Sequence, residues 1–188
     1  KDILYIQNLS ERIRNMVIFG YDIRVYFLLF IIYAVIGWCM EVTCKLIQYK
    51  RFINRGFLIG PYCPIYGYGA ILITILLKKY TGDPLVLFVM AIFLFTILEY
   101  LTSYFMEKIF KARWWDYSKK KFNINGRVCL STMLPFGILG MFVMYVSNPF
   151  LLGKIEMIPE LPLNILFWSI LVIFITDNIV SSIVMRYI

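Results

Sequence analysis

The sequence predicts an all-α protein, a multi-pass membrane helical bundle of about five transmembrane helices with an amphipathic helix before them. Hydrophobic residues make up 61% of the 188 positions and charged residues 16%, which leaves too little polar surface for a soluble domain of this size. Five apolar runs are each close to the length of about 20 residues that a helix needs to cross a bilayer. Composition and run length together define the class.

The first 24 residues are predicted to form a separate unit. Apolar side chains recur there at helical spacing, while charged side chains occupy the other faces. The apolar set is Ile3, Ile6, Leu9, Ile13, Met16 and Val17. A helix with this pattern is expected to lie in the membrane interface. We therefore divide the chain into an amphipathic interfacial segment, residues 1–24, and a transmembrane helical bundle, residues 25–188. Because the sequence starts at Lys1 rather than Met, we expect a fragment or a processed form.

The five predicted spans cover residues 25–47, 61–77, 85–106, 128–146 and 163–184. The second is the shortest, and it opens on a stretch rich in Gly, Pro and Tyr, residues 60–69, which is poor material for a regular helix. One interpretation is a broken or re-entrant start that the rest of the protein shields from lipid. The other is a simple packing kink, and the sequence does not separate the two.

The distribution of Lys and Arg predicts the orientation in the membrane. The connections after the first and third spans carry eleven of these residues, whereas those after the second and fourth carry three, Lys78, Lys79 and Lys154. Basic loops stay preferentially on the cytoplasmic side. Both rich connections are therefore predicted to lie inside the cell, with the C-terminus inside and the amphipathic segment outside.

Three acidic residues lie in or near the apolar runs: Glu41, Glu99 and Asp177. A carboxylate in hydrocarbon costs about 2.5 kcal/mol or more, so it is normally kept only where it faces a polar cavity, a partner or a transport path. On the predicted topology all three fall in the cytoplasmic halves of inward-running spans, where charged loop residues can join them. The candidate substrate-binding residues are Glu41, Arg55, Glu99, Asp116, Asn125 and Arg127. The alternative is a set of ion pairs that only join helices.

The two basic loops contain a weak internal repeat. Residues of the first loop have counterparts in the second, and in each loop an Asn precedes a Pro by ten positions. The first set is Phe52, Asn54, Arg55, Gly56 and Pro64, and the second is Phe122, Asn125, Gly126, Arg127 and Pro135. A parallel two-hairpin repeat of this kind commonly places a binding site at its interface. Chance similarity between two short loops explains the pattern nearly as well.

Several chemistries are excluded by what the sequence lacks. No G-x-x-x-x-G-K-[ST] phosphate loop is present, so the chain is not expected to hydrolyse ATP. The absence of histidine excludes imidazole acid-base chemistry, histidine metal sites and a Ser-His-Asp triad. The four cysteines form no CxxC pair, and we interpret them as reduced packing thiols, so no metal and no cofactor is predicted.

The net charge of +8 indicates membrane topology and contact with anionic membrane lipids. The basic residues are interleaved with aromatic ones, as on some nucleic-acid surfaces, but they lie between membrane spans, so no nucleic-acid partner is predicted. Trp114, Trp115 and Tyr117 of the third connection either stack on a substrate or anchor the loop at the lipid headgroups, and we favour the anchor.

Five short motifs carry a family resemblance, and they occur in order within residues 25–136. They are Gly37-Trp38-Cys39-Met40-Glu41, the stretch 54–67, Leu98-Glu99-Tyr100, Trp114-Trp115-Asp116-Tyr117-Ser118 and Asn123-Ile124-Asn125-Gly126-Arg127. The chain resembles the ABC-transporter type IV, or CmpB-like, family of bacterial membrane proteins. The resemblance implies a multi-pass protein of the bacterial plasma membrane, and an ABC role would require a separate ATPase subunit as partner. It supplies no proven substrate or reaction.

Two main functional classes fit these residues. In the first, a transporter or permease subunit handles a polar or charged solute through a cytoplasm-facing cluster, where Glu41 and Glu99, flanked by Arg55 and Arg127, line a path. In the second, a membrane enzyme acts on a phosphate-bearing, lipid-linked substrate, with Glu41, Glu99 or Asp116 as base and an arginine holding the phosphate. We favour transport. A structural or regulatory subunit is a third reading, and homo-oligomerisation is left open.

Overall fold

The computed structural model describes residues 17–18, 20–54 and 56–187. It contains six α-helices in this described part, together with two pairs of two-residue antiparallel strands. In chain order these are β1 (Val17–Ile18), β2 (Tyr21–Asp22), α1 (Ile23–Tyr49), α2 (Pro64–Leu76), α3 (Pro84–Phe110), β3 (Asn123–Ile124), β4 (Val128–Cys129), α4 (Leu130–Phe142), α5 (Asn148–Glu156) and α6 (Glu160–Tyr187). A 3₁₀ turn, Lys78–Tyr80, follows α2, and a π-helical turn, Val143–Ser147, joins α4 to α5.

The predicted all-α membrane class is confirmed. Four helical stretches of the described chain are long and apolar enough to cross a membrane: Ile23–Tyr49, Pro84–Phe110, Leu130–Glu156 and Glu160–Met185. Helix α2, with 13 residues, is shorter. At 1.5 Å per residue it spans about 20 Å, less than the hydrocarbon core of about 30 Å. The second predicted span therefore differs from the other four, because its first residues are not helical.

Capping residues set the starts of α1 and α3. Asp22 accepts a hydrogen bond from the backbone N–H of Arg24 at 2.8 Å and begins α1, and Asp83 accepts from that of Leu85 at 3.0 Å and begins α3. Each helix ends at a lysine in the left-handed conformation, Lys50 after α1 and Lys111 after α3. The two helices have the same length, 27 residues, and each is followed by a loop that turns back.

The loop after α1 returns in non-helical form along that helix. The backbone N–H of Cys63, the residue before α2, donates to the carbonyl of Ala34 at 2.8 Å. Ala34 lies 15 residues before Tyr49, the end of α1, which is about 22 Å along the helix. Tyr62 and Cys63 are both buried. The part of the Gly- and Pro-rich stretch before Pro64 is therefore non-helical, and protein shields its last two residues, Tyr62 and Cys63, whereas the part from Pro64 onward is the start of α2.

Asp177 of α6 supports this segment. Its carboxylate accepts hydrogen bonds from the backbone N–H of Gly60 at 3.0 Å and the hydroxyl of Tyr62 at 2.5 Å. Ser181, one turn later on α6, accepts from the backbone N–H of Ile59 at 3.0 Å. Unpaired backbone groups at membrane depth are costly, so these contacts give the non-helical chain the partners that a helix would supply internally.

Helix α3 shows how the bundle separates its inner face from its outer face. Residues four apart are buried along one stripe: Leu87, Ala91, Phe95, Glu99 and Ser103. Large apolar side chains on the opposite stripe are exposed: Phe93, Ile97, Leu101 and Phe105. Because side chains at i and i+4 share a helix face, the exposed stripe is the one available to lipid. Glu99 therefore points into the protein.

Two sequence predictions fall on residues outside the described part. Residues 1–16, the larger part of the predicted interfacial segment, are among them, so the division at residue 24 stays a prediction. Arg55 of the predicted cluster also lies outside the described residues.

The two loops of the predicted repeat are similar in one contact. Asn54 accepts a hydrogen bond from the indole of Trp38 on α1 at 2.7 Å, and Asn125 donates one to the hydroxyl of Tyr100 on α3 at 2.9 Å. The prolines do not correspond, since Pro64 begins α2 whereas Pro135 lies inside α4.

Candidate functional site

A cavity of about 500 Å³ lies between α1, α2, α3, α4 and the loop that follows α3. Much of its wall is aromatic or aliphatic. Its acidic residues are Glu41, Glu99 and Asp116, and its hydroxyl-bearing residues are Tyr33, Tyr66, Tyr117 and Ser147. The structure thus brings three of the six predicted site residues to one cavity, at the end of the bundle where the two basic loops lie.

Glu99 is the most buried charged residue of this cavity, with 6% of its surface exposed. One carboxylate oxygen, Oε1, accepts a hydrogen bond from the hydroxyl of Tyr117 at 3.3 Å. The other, Oε2, is buried and has no hydrogen-bond partner among the described residues. An unsatisfied buried oxygen is rare in proteins and is often completed by a ligand, an ion or water.

Glu41 reaches the same cavity from α1. Its Oε1 accepts a hydrogen bond from the hydroxyl of Tyr66 at 2.8 Å. Tyr66 belongs to the first turn of α2, and its ring crosses α1 at Gly37, where a Cβ would lie 2.2 Å from the ring. Glycine at this position is therefore what lets the tyrosine lie flat against α1 and reach the carboxylate one turn further along.

The loop after α3 closes the cavity at the end near the basic loops. The backbone N–H of Tyr117 donates to the carbonyl of Gly126 at 2.7 Å, and the indole N–H of Trp115 donates to the carbonyl of Arg127 at 2.9 Å. These bonds fasten the loop to the β3–β4 hairpin. Trp114, Trp115 and Tyr117 consequently line the cavity. Their position is compatible with stacking on a substrate, the alternative that the sequence analysis favoured less.

The environment of the loop fixes the protonation of two of its residues. Burial, together with the nearby Glu99 carboxylate, raises the pKa of the Tyr117 hydroxyl, so this group remains a hydrogen-bond donor at physiological pH. Hydrogen bonds from the hydroxyl and backbone N–H of Ser118 lower the pKa of Asp116 and keep it ionised. Arg113 lies 3.7 Å from the same carboxylate. Asp116 is therefore a negatively charged residue at the rim.

Arg127 lies outside the cavity lining, against the face of α3 that follows Glu99. Its guanidinium is 2.6 Å from the carboxylate of Glu107 and donates to Ser103 at 3.2 Å. It also lies over the rings of Tyr104 and Tyr100, at 5.4 and 5.7 Å from their centroids. With all these partners on α3, Arg127 fastens the β3–β4 hairpin to that helix. Asn125, whose side-chain amide donates a hydrogen bond to the hydroxyl of Tyr100, also joins the hairpin to α3.

Uncharged residues outside the set predicted from the sequence extend the polar lining. The hydroxyl of Tyr33 is 2.6 Å from that of Ser147 and donates to Asn148 at 2.7 Å. Asn148 in turn donates to Thr74 on α2 at 2.6 Å. Ser147 belongs to the π-helical turn, a distortion that frequently marks functional sites. The one sequence signal for this network is the pair of polar residues Ser147 and Asn148 at the end of an apolar run.

The remaining lining contributes one positive charge among the described residues, that of Lys45. Its ammonium donates to Gln48 at 3.0 Å and lies over the ring of Tyr49 at 5.4 Å from the centroid. No group of three or more His, Cys, Asp or Glu residues in the described part of the chain is arranged to hold a metal ion. The cavity is thus acidic and aromatic in the part that is described.

Comparison with known proteins identifies the family. Searches of curated proteins and of solved structures found no match. A family model described as "Putative ABC-transporter type IV" matches residues 28–182, which is most of the chain and includes every helix from α2 to α5. The chain therefore belongs to this family of membrane proteins, whose name relates it to ABC transporters.

Proposed function

We propose that the chain is a membrane subunit of a transport system, and that it binds a polar or charged solute in the cavity. The observation that carries the proposal is the pair of carboxylates, Glu41 and Glu99, which two membrane-spanning helices place on one cavity of about 500 Å³. Carboxylates at membrane depth are kept mainly where they bind a solute or line its path. Cavities that bind small molecules typically measure about 300–1,000 Å³.

The irregular geometry of α4 supports a transport role. A transporter needs a wall that changes shape, and α4 supplies one wall of the cavity through Phe136, Leu139 and Phe142. Pro135 lies inside this helix and cannot donate a hydrogen bond to the carbonyl one turn earlier. The π-helical turn follows at Val143–Ser147. Two breaks in the regular hydrogen-bond pattern, on either side of the lining residues, make α4 easier to bend than a continuous helix.

The family name and the sequence together define the expected partner and location. The chain carries no phosphate loop of its own, so an ABC-type system requires a separate ATPase subunit. The resemblance to the family favours a bacterial plasma membrane protein, and the distribution of Lys and Arg favours a cavity that faces the cytoplasm. Anionic lipids around the basic loops are the second class of partner that this charge pattern favours.

The lipid-enzyme alternative has weaker support from the site. Such an enzyme needs a cation beside its carboxylates to hold a phosphate group. Arg127, one of the two arginines considered for that role, binds Glu107 and Ser103 outside the cavity. The ammonium of Lys45 is directed at Gln48. The described cavity therefore suits a solute bound by carboxylates better than one bound through phosphate.

Reconstitution tests the proposal. The chain, isolated from its membrane with its native partners, is placed in liposomes with a cell metabolite extract and ATP, and mass spectrometry identifies what accumulates in the lumen. We expect an ATPase to co-purify and a solute to accumulate, and we expect Glu41→Gln to abolish accumulation in a folded protein. Lys120→Gln, at an exposed loop position, is the matched control and should behave as wild type. Consumption of a lipid by the purified chain, without accumulation of any solute, would instead support the enzyme.

A further inference from the structure

We propose that the solute is an organic cation with an apolar body, whose positive head binds Glu99 and Glu41 while its body lies along the apolar wall of the cavity. This inference rests on the proposed function and specifies its substrate class. It begins from Glu99, whose Oε2 is buried without a hydrogen-bond partner among the described residues although the residue is 94% enclosed, with 6% of its surface exposed. A buried carboxylate oxygen left unpaired is costly, and a bound cation or N–H donor removes that cost.

The arrangement of hydrogen-bond donors leaves this oxygen for a ligand. Tyr117 donates to Oε1 of Glu99 at 3.3 Å, and Tyr66 donates to Oε1 of Glu41 at 2.8 Å. The hydroxyl of Tyr117 is neutral, so it orients the carboxyl group of Glu99 without adding a positive charge to it. Oε2 of Glu99 thus remains available at the cavity surface, on the inward-facing stripe of α3.

The sign of the charge selects a cation over an anion. Three carboxylates line the described part of the cavity, against the single ammonium of Lys45, which is turned toward Gln48. Like charges disfavour each other strongly in a low-dielectric site, so a carboxylate or phosphate solute would be repelled from Glu99. The rings of Trp114 and Trp115 also border the acidic end, and aromatic faces attract ammonium and other organic cations.

The rest of the cavity wall is apolar and fits the apolar part of the proposed ligand. Ile36, Met40 and Phe142 line the cavity, and 41%, 41% and 53% of their respective surfaces are exposed. These three side chains therefore give the cavity an exposed apolar wall. A molecule with a cationic head and an apolar body matches both the acidic and the apolar part of the cavity.

A pair of probes with the same shape and opposite charge tests the inference. Tetraphenylphosphonium and tetraphenylborate are titrated against the purified full chain in lipid nanodiscs, and binding is measured by calorimetry after subtraction of empty nanodiscs. We expect saturable binding of the phosphonium, weaker by at least about tenfold in Glu99→Gln, which corresponds to about 1.4 kcal/mol. Glu156→Gln removes a carboxylate from an exposed position of α5, away from the cavity, and should leave the affinity unchanged.

Several outcomes overturn the inference: no saturable binding of the phosphonium, equal or tighter binding of the borate, or wild-type affinity in Glu99→Gln. A melting curve of each variant shows that it is folded, and Glu99→Asp, which keeps the charge, should recover part of the affinity if charge is what matters. Transport is judged separately. Binding of the cation without any transported solute would contradict the proposed transport function but not the inferred preference for cations. Transport of an anion would support the transport function and contradict the inferred preference.

Discussion

Gly37 lies where the ring of Tyr66 crosses α1, and we expect Gly37→Ala to destabilise the protein and to damage the cavity. A Cβ added at Gly37 would lie 2.2 Å from Cγ of Tyr66, 2.3 Å from Cδ2 and 2.6 Å from Cβ, whereas ordinary van der Waals contact begins at 3.4 Å. The nearest ring atom must therefore retreat by about 1.2 Å, the difference between 2.2 and 3.4 Å. Because Cβ and Cγ form the base of the side chain, rotation of the ring alone cannot relieve the overlap, and α2 must shift.

Three contributions set the expected magnitude. Overpacking of a tight contact costs about 1–3 kcal/mol. Displacement of Tyr66 also stretches its 2.8 Å bond to Glu41, and a hydrogen bond to a charged group contributes about 1.5–3 kcal/mol. Alanine offsets about 1 kcal/mol through its higher helix propensity. The balance is a loss of about 2 kcal/mol or more in the free energy of unfolding, which lowers Tm by about 4–8 °C for a chain of this size.

Thermal melting of the purified protein in detergent is the assay. Gly153→Ala, in α5, is the matched control, because nothing lies within 4 Å of an added Cβ there and its Tm should equal or exceed that of wild type. In a Tyr66→Ala background the ring is absent and only the Cβ of residue 66 remains, 2.6 Å from the added atom, so Gly37→Ala should cost less than it does in the wild-type chain. A Gly37→Ala protein that melts at or above the wild-type temperature would refute the packing argument, as would an equal loss in the Tyr66→Ala background.

Three further predictions concern the membrane orientation, the β3–β4 hairpin and the non-helical segment before α2. A single cysteine in place of Lys119, in a chain whose native cysteines are replaced, should react with a membrane-impermeant reagent only after the cells are opened; reaction in intact cells would reverse the predicted orientation. Arg127→Lys should lower Tm by a few degrees, because an ammonium cannot reproduce the forked contact of the guanidinium with α3, whereas Lys120→Gln should melt as wild type. Asp177→Asn should speed amide exchange around Tyr62, measured by mass spectrometry, because the charged acceptor of the non-helical segment is lost; unchanged exchange would show that the contacts do not hold that segment.

The class of the protein and the helices that build it could be predicted from the sequence, because the signals for both are local. Apolar runs and their flanking Asp, Pro and Gly residues depend on neighbours a few positions away, and four of the five predicted spans correspond to long helices. The irregular start of the second span could also be inferred from its own composition. The position of that segment beside Ala34 could not be inferred, because it depends on a contact between two residues that are 29 positions apart in the chain, Ala34 and Cys63.

The partners of the charged residues were decided only by tertiary structure. From the sequence, Glu41, Glu99 and Asp177 were equivalent acids near arginines, because opposite charges are the obvious partners for buried carboxylates. In the structure all three receive tyrosine hydroxyls: Glu41 and Glu99 on one cavity, and Asp177 elsewhere, together with the backbone N–H of Gly60. Tyrosine is apolar along most of its length, so a sequence pattern counts it with the core. Whether its hydroxyl meets a carboxylate depends on which helix faces touch, and that is determined by packing across the whole bundle rather than by any local run of residues.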